Sequence, residues 1–137
     1  MIALVPVLPR YARALWPVIT HWVEAACEHN GGWWSAPDVL DDVEADRLTL
    51  WAVADESRLW GIVVTEVETA ANYAIGVIAL CAGDEQARWL HLLPELEEWA
   101  ACNGCSEMMV KGRPGWARRL KSYGYGERYV AVGKVIA

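Results

Sequence analysis

Between positions 111 and 121 the chain sets five cations, Lys111, Arg113, Arg118, Arg119 and Lys121, out of twelve in the whole sequence. A segment that basic, in a chain of formal charge -6, has three uses open to it: a phosphate site, a nucleic-acid contact, or the wet side of an amphipathic helix. A second concentration of chemistry is GGWWSAPDVLDDVEAD, residues 31–46. It joins two glycines, the adjacent indoles Trp33 and Trp34, and a carboxylate run that begins at Asp38. Indole faces and carboxylates together can receive a cationic amine by cation–π contact and charge; a packed tryptophan pair beside a solvated helix face is the plainer reading. Cys102 and Cys105 form a C-x-x-C. Zinc would need two more ligands, and neither Cys27, Cys81 nor any of His21, His29 and His91 stands at a matching spacing. No metal site is expected, from these groups or from Asp38, Asp41 and Asp42.

Length and composition limit the frame that must position these residues. A chain of 137 residues, 55% apolar and 22% charged, is expected to be a single domain over 1–137 with one sizeable core. The acidic balance argues against general nucleic-acid binding, which draws on an excess of Lys and Arg. Nine tryptophans and no phenylalanine imply that several indoles lie at the core edge, where the N–H finds a partner. MIALVPVLPR at the start is apolar but has no basic leader and contains Pro6 and Pro9, so it reads as a first strand and not as a membrane span. The expected setting is cytoplasmic, with reduced thiols.

The apolar spacing then sets out the elements. Leu15, Val18, Ile19, Trp22, Val23 and Ala26 recur at helical intervals, with Pro17 opening or kinking the helix and Asn30-Gly31-Gly32 ending it. Ser35 and Asp38 form a capping box for a short second helix. LTLWAVA (48–54), LWGIVVTEVE (59–68) and YAIGVIALC (73–81) read as three strands in an antiparallel meander. A long helix is expected after Ala82-Gly83-Asp84, bent at Pro94 and stopped by Asn103-Gly104. A strand at 106–112, a helix from Gly115 to Tyr123 and a closing strand over 127–136 complete the order. On that last helix Arg118, Arg119 and Lys121 take the solvated face, while Lys111 and Arg113 flank a loop, free to meet cofactor phosphates or a partner's acidic patch. The sum is an α+β domain whose mostly antiparallel mixed sheet is flanked by about four helices.

That order resembles the GCN5-related N-acetyltransferase superfamily over almost the whole chain. The segment WLHLLPELEEWAACNGCSEMMVKGRPGWARRLKSYGYGERYVAVGKVI looks like that family's long helix, fifth strand, fourth helix and final hairpin, with Trp116-Ala117, Leu120, Gly124 and Tyr125 in its motif positions. Within the superfamily GRPGWA is most similar to short proteins of bacteriophages and prophages. The resemblance implies an acyl-CoA N-acyltransferase fold and transfer of acetyl from acetyl-CoA to an amine. It implies a cofactor site along Leu80, Cys81, Ala82 and Gly83, continuing through Asp84, Gln86 and Ala87 at the start of the next helix. The segment from Trp33 to Asp38 would border the acceptor pocket. The sequence departs from the family where Asp84 and Glu85 replace residues a diphosphate approaches, and where Leu120 stands at the usual tyrosine, leaving Tyr123 offset on the helix. Strand 73–81 carries no carboxylate, so Glu66 and Glu68 are the candidates for a general base. The alternative is a fold that has lost catalysis and serves as a binding or structural part, with a protein partner, of a phage particle or its assembly.

Overall fold

Strand formers with short turns give the expected meander: β2 (Thr49–Ala54), β3 (Leu59–Ala70) and β4 (Tyr73–Gly83) pair antiparallel in sequence order. The computed structural model describes residues 1–136. β1 (Ala3–Val7) adds antiparallel to β2 at one edge, and Pro6 is tolerated there because an edge strand need not donate on both sides. β5 (Glu107–Val110) adds to β4 in parallel at the other edge, giving the sheet order β1-β2-β3-β4-β5. The fold class is therefore as expected, α+β with one parallel pair in an otherwise antiparallel sheet.

Alternate residues of β3 feed two cores, as a period of two requires. Ile62 and Val64 face α1 (Pro9–His29) and α2 (Ala36–Glu44), whose Ala12, Ile19, Val23, Val39 and Val43 are fully buried or nearly so. Val63 faces the opposite layer, where Trp51, Trp60 and Trp89 pack with Leu93 and Leu96 of α3 (Leu93–Cys102) and with Leu120, just after α4 (Gly115–Arg119). α1 starts at Pro9 and runs through Pro17, so Pro17 sits inside the helix, where it has no backbone N–H to donate. The capping box forms, with the Asp38 backbone N–H donating to Ser35 Oγ. The tryptophans of the second core reach polar partners at its edge: Trp51 Nε1 donates to Thr65 Oγ1 at 2.9 Å, Trp60 Nε1 to Asp55 at 2.8 Å and Trp89 Nε1 to the Asp84 carbonyl at 2.9 Å.

Two expectations are corrected. The long helix after residue 84 is instead a pair of 3₁₀ turns, Gln86–Arg88 and Leu90–Leu92, followed by α3. Glu85 sits in the left-handed region (φ 47°) and breaks the helix, and Pro94 falls in the first turn of α3, where its missing N–H costs nothing, so it does not bend a helix. The closing strand is also absent: residues 125–136 carry no regular structure. The outer edge of β5, the end strand, offers four residues and few rungs. All four cysteines are free thiols, and no helix among the described residues is long and apolar enough to cross a membrane.

Thr65 is fully buried and is the acceptor for the buried Trp51 indole. Thr65→Val keeps the shape but orphans that N–H, and should lower stability in urea unfolding by about 1–3 kcal/mol. Thr65→Ser, which retains the hydroxyl, should lose less than Thr65→Val.

Candidate active site

β4 and β5 run together only from Ile75–Glu107 to Ile78–Val110, closed by one further bond from the Lys111 N–H to the Ile78 carbonyl at 3.1 Å. Past that rung β4 continues to Gly83 against β3 alone, while the chain after β5 turns away through Gly112 and Pro114 into α4. The cause is a bulge. Val64 pairs with Leu80 and Thr65 with Ile78, so Ala79 has no opposite number on β3, and an extra residue bends and twists its strand. Asn30, at the end of α1, fixes the bulge by donating from Nδ2 to the Ala79 carbonyl at 2.5 Å.

The strands thus enclose a wedge. On the α1 side it is a polar cavity of about 30 Å³ lined by residues including Asn30, Ala79, Lys111 and Arg113. Behind it lies an apolar cavity of about 40 Å³ lined by residues including Val63, Cys81, Trp89 and Leu96. Trp116 lines both, with its ring held against Gly112, where an added Cβ would meet Cδ1 at 2.7 Å. Since one water needs roughly 10–15 Å³, each cavity holds a few waters and no extended ligand until Trp116 moves.

The residues expected to bind a cofactor divide between strand and loop. Leu80, Cys81, Ala82 and Gly83 all lie on the part of β4 that β5 has left. Burial pushes the Cys81 thiol up to about 12 despite the nearby Arg119 guanidinium, so it stays protonated. Gly83 is glycine for a packing reason: a Cβ there would strike the Trp60 carbonyl oxygen and lie 2.5 Å from Gly61 Cα. Asp84 lies in the bend after β4, and Gln86 and Ala87 in the 3₁₀ turn that follows, not at an α-helix N-terminus, which corrects that part of the expectation. The Asp84 carboxylate turns to Arg58 and its N–H donates to the Trp60 carbonyl at 2.8 Å. Glu85 faces Arg88 at 3.7 Å, and Gln86 Oε1 accepts from Arg119 at 2.9 Å. Arg58 and Arg88 stack on Trp60, at 4.3 and 4.8 Å from its ring centre, and Arg119 on Trp116 at 4.6 Å. The two carboxylates that looked hostile to a diphosphate are therefore already paired with arginine.

Glu66 and Glu68 share the α1–α2 face of β3, one strand from the wedge, and Lys111 bridges the gap by donating from Nζ to Glu68 Oε1 at 2.6 Å. Burial first, and the neighbouring Glu68 second, raise the Glu66 carboxyl above the ordinary glutamate range, while Lys111 opposes them. Tyr123 lies in a 3₁₀ turn, is exposed, and does not line the wedge. Tyr125 is the tyrosine that folds inward, yet its hydroxyl donates to Glu97 at 2.7 Å, and its pKa is raised by burial and by that carboxylate.

The expected indole pair separates. Trp34 packs against the α1–α2 core, whereas Trp33 is 92% exposed. Asp38 spends its carboxylate on Ser35, accepting from Oγ at 2.8 Å. Of the two loop cations, Lys111 and Arg113, both line the wedge. Sequence reasoning missed Asn30, seen only as a helix stop, and gave Trp116 a motif position on the last helix but no place in the site. Nothing local marks Asn30, whose acceptor lies 49 residues on.

No protein-family model matches the sequence, and no curated protein is similar to it in sequence. Solved structures are similar to it in fold. A ribosomal-protein-alanine N-acetyltransferase from Brucella melitensis superposes with a TM-score of 0.67 at 11% identity, covering 100% of this chain and 99% of the other. An aminoglycoside acetyltransferase from an uncultured soil sample, in complex with sisomicin, gives 0.70 at 11% identity, covering 99% and 97%. An aminoglycoside N-acetyltransferase in complex with CoA gives 0.61 at 14% identity, covering 98% and 95%. The chain has the fold of these acyl-CoA N-acyltransferases.

The Glu66 shift fixes a sign. Its carboxyl is raised in the folded protein, so charging it opposes folding: the stability present at acid pH is partly lost as pH rises through the folded pKa. Glu66→Gln should therefore melt higher than the native protein at neutral pH and show no gap near pH 4, as measured by melting temperature across that range.

Proposed function

We propose that the protein transfers an acetyl group from acetyl-CoA to a small amine, with the cofactor's amide-bearing arm paired to β4. The observation that carries this reading is the open edge of β4 beyond Ile78, created by the Ala79 bulge and left unpaired by β5. Such an edge presents backbone donors and acceptors at strand spacing, which suits an extended chain of amides. Leu80 through Gly83 would hold the arm, and Arg58, Arg88 and Arg119 would supply positive charge for its phosphates at the end of the strand. The wedge beside Lys111 and Asn30 would then take the thioester. The fold shared with structures solved with CoA and with sisomicin supports both a CoA site and an amine acceptor.

In the reaction the amine nitrogen attacks the thioester carbonyl carbon, a C–N bond forms and the C–S bond breaks. Glu66, held above its usual pKa and close to Lys111, receives the amine proton by way of water. A carboxyl tuned upward by burial is suited to that step near neutral pH. The thiolate takes its proton from solvent, because no phenol lines the wedge among the described residues.

A second reading, a binding protein without catalysis, is favoured by one observation: Trp116 occupies the mouth of the wedge. A place in a phage particle rests only on the resemblance of GRPGWA. Titration calorimetry with acetyl-CoA separates these readings. Micromolar binding that persists or tightens in Trp116→Ala, with CoA thiol release on a panel of polyamines and aminoglycosides, is the expected result. Binding without release would favour the binding protein, and no binding at millimolar cofactor would remove both the cofactor and the reaction. If transfer is seen, Glu66→Gln should lower kcat by roughly 10²–10⁴-fold, the usual contribution of a general base, with KM for acetyl-CoA unchanged.

A further inference from the structure

The apolar cavity on the α3 side of the sheet is walled by Leu4 of β1, Val63 of β3, Leu93 and Leu96 of α3, and Leu120 after α4. These side chains offer a water no hydrogen bond, and the Trp89 N–H beside them is already given to the Asp84 carbonyl at 2.9 Å. A trapped water needs several polar partners, so a space walled in this way suits an apolar group better. A void in a close-packed core also forfeits the dispersion contacts of its lining, and an apolar group that fits restores them.

Ile78, Cys81, Val110 and Trp116 line this cavity and the polar one alike. Both therefore belong to one split between β4 and β5, with the Trp116 ring on their boundary. The far walls are the packed second core, where Val63, Leu93 and Leu96 are buried. A group thus reaches the apolar cavity as the tail of a molecule seated in the wedge. Such a molecule has the open β4 edge at Leu80–Gly83 on one side and Asn30 and Lys111 on the α1 side. With the sulfur arm on the edge and the amine on the polar side, the remaining direction, into the apolar cavity, is left to the acyl chain. Its size is defined. Counting roughly 10–15 Å³ for each water-sized group, a cavity of about 40 Å³ admits about three, and methyl and methylene groups are of similar size.

We propose that the wedge takes acyl donors longer than acetyl, the aliphatic chain of a propionyl or butyryl thioester of CoA filling the cavity walled by Val63, Leu93 and Leu96. The inference rests on the acyl-transfer reading above and extends its donor. The chemistry is unchanged: the amine nitrogen attacks the acyl carbonyl carbon, a C–N bond forms, the C–S bond breaks, and CoA leaves as the thiol. What changes is which donor the walls prefer.

The test is titration calorimetry of the intact protein with CoA and with acetyl-, propionyl-, butyryl- and octanoyl-CoA, beside the variants Val63→Ile and Leu90→Phe. Both side chains line the apolar cavity and neither lines the polar one. Val63→Ile adds a single methyl group on a strand, where β-branched residues are at home. Leu90, half-buried in a 3₁₀ turn, can take a ring with less constraint, and circular dichroism checks that both variants fold. In the native protein the dissociation constant should fall about fourfold for each methylene added from acetyl to butyryl, then rise at octanoyl, whose chain outruns the cavity. Both variants should keep the native affinity for acetyl-CoA and lose the preference for butyryl-CoA. Equal or weaker binding along the series while CoA itself binds overturns the proposal and leaves acetyl transfer standing. A butyryl preference that survives both variants overturns it too, because the chain then lies elsewhere. So does a gain seen with butylamine and not with butyryl-CoA, which would give the cavity to the acceptor. No binding of CoA or of any thioester would remove the acyl-transfer reading, and this donor assignment with it.

Discussion

The hydrogen bond from Asn30 Nδ2 to the Ala79 carbonyl crosses from the end of α1 to the one residue β4 has in excess over β3. Without the excess residue, β4 would run straight and β5 could follow it further. With it, the strands share one short parallel ladder and then separate. A bulge left to itself exposes a carbonyl with no ladder partner, a group that costs free energy if buried unpaired. The amide of Asn30 removes that cost and ties α1 to the parting point. The wedge, the polar cavity beside Lys111 and the length of unpaired β4 edge all descend from this local arrangement. The glycine turn Gly31–Gly32 that follows, with both residues at positive φ, lets the chain leave α1 at once and keeps Asn30 at the helix end.

Charge is distributed to match. The chain is acidic overall, yet Arg58, Arg88 and Arg119 gather where β4 ends, each stacked on an indole and each holding a carboxylate or amide of the loop 84–86. Exposed ion pairs of this kind contribute only about 0–1 kcal/mol apiece. An arriving group with two or more negative charges can exchange partners with them at little cost, while the stacked indoles keep the guanidinium planes in place. On the α1–α2 face Glu66, Glu68 and Lys111 form a compact group in which burial and the neighbouring Glu68 hold the Glu66 carboxyl above the ordinary glutamate range. The molecule thus gathers positive charge where β4 ends and keeps a carboxyl pair bridged by Lys111 on the α1–α2 face.

The elements were legible wherever spacing decides them. Strand alternation in 48–81, the Ser35–Asp38 capping box and the helical spacing from Leu15 to Ala26 each encode their own structure, and the resemblance gave the acyltransferase fold that is observed. What could not be read was set by contacts and backbone angles that residue spacing does not encode. Glu85 at φ 47° and the Trp89 bond to the Asp84 carbonyl make the segment after β4 a 3₁₀ path, although its apolar spacing suits a helix. The valines of 130–136 have the composition of a strand, but a strand exists only where an edge receives it. The separation of Trp33 from Trp34 follows from the two glycines before them, which allow one indole into the core and turn the other out. Asp84 and Glu85 were read by their charge alone. Their arginine partners lie 26 residues earlier and three residues later, and only the first of these required the fold.

Trp116 shows how the site can be both closed and accessible. Its ring rests on Gly112 and beneath Arg119, with empty volume on each side. It is carried by α4, a helix of five residues followed by a 3₁₀ turn and Gly124 at φ 87°. A helix that short has little cooperative stability of its own and depends on its packing, here chiefly on the buried Leu120. The neighbouring walls are different: β4 is paired along its length with β3, and α1 is a helix of 21 residues. The least anchored wall of the wedge is therefore α4, which carries the Trp116 ring that lines both cavities. If the proposed cofactor enters the wedge, the same indole becomes a wall of the occupied site, and Arg119, stacked on it, moves with it.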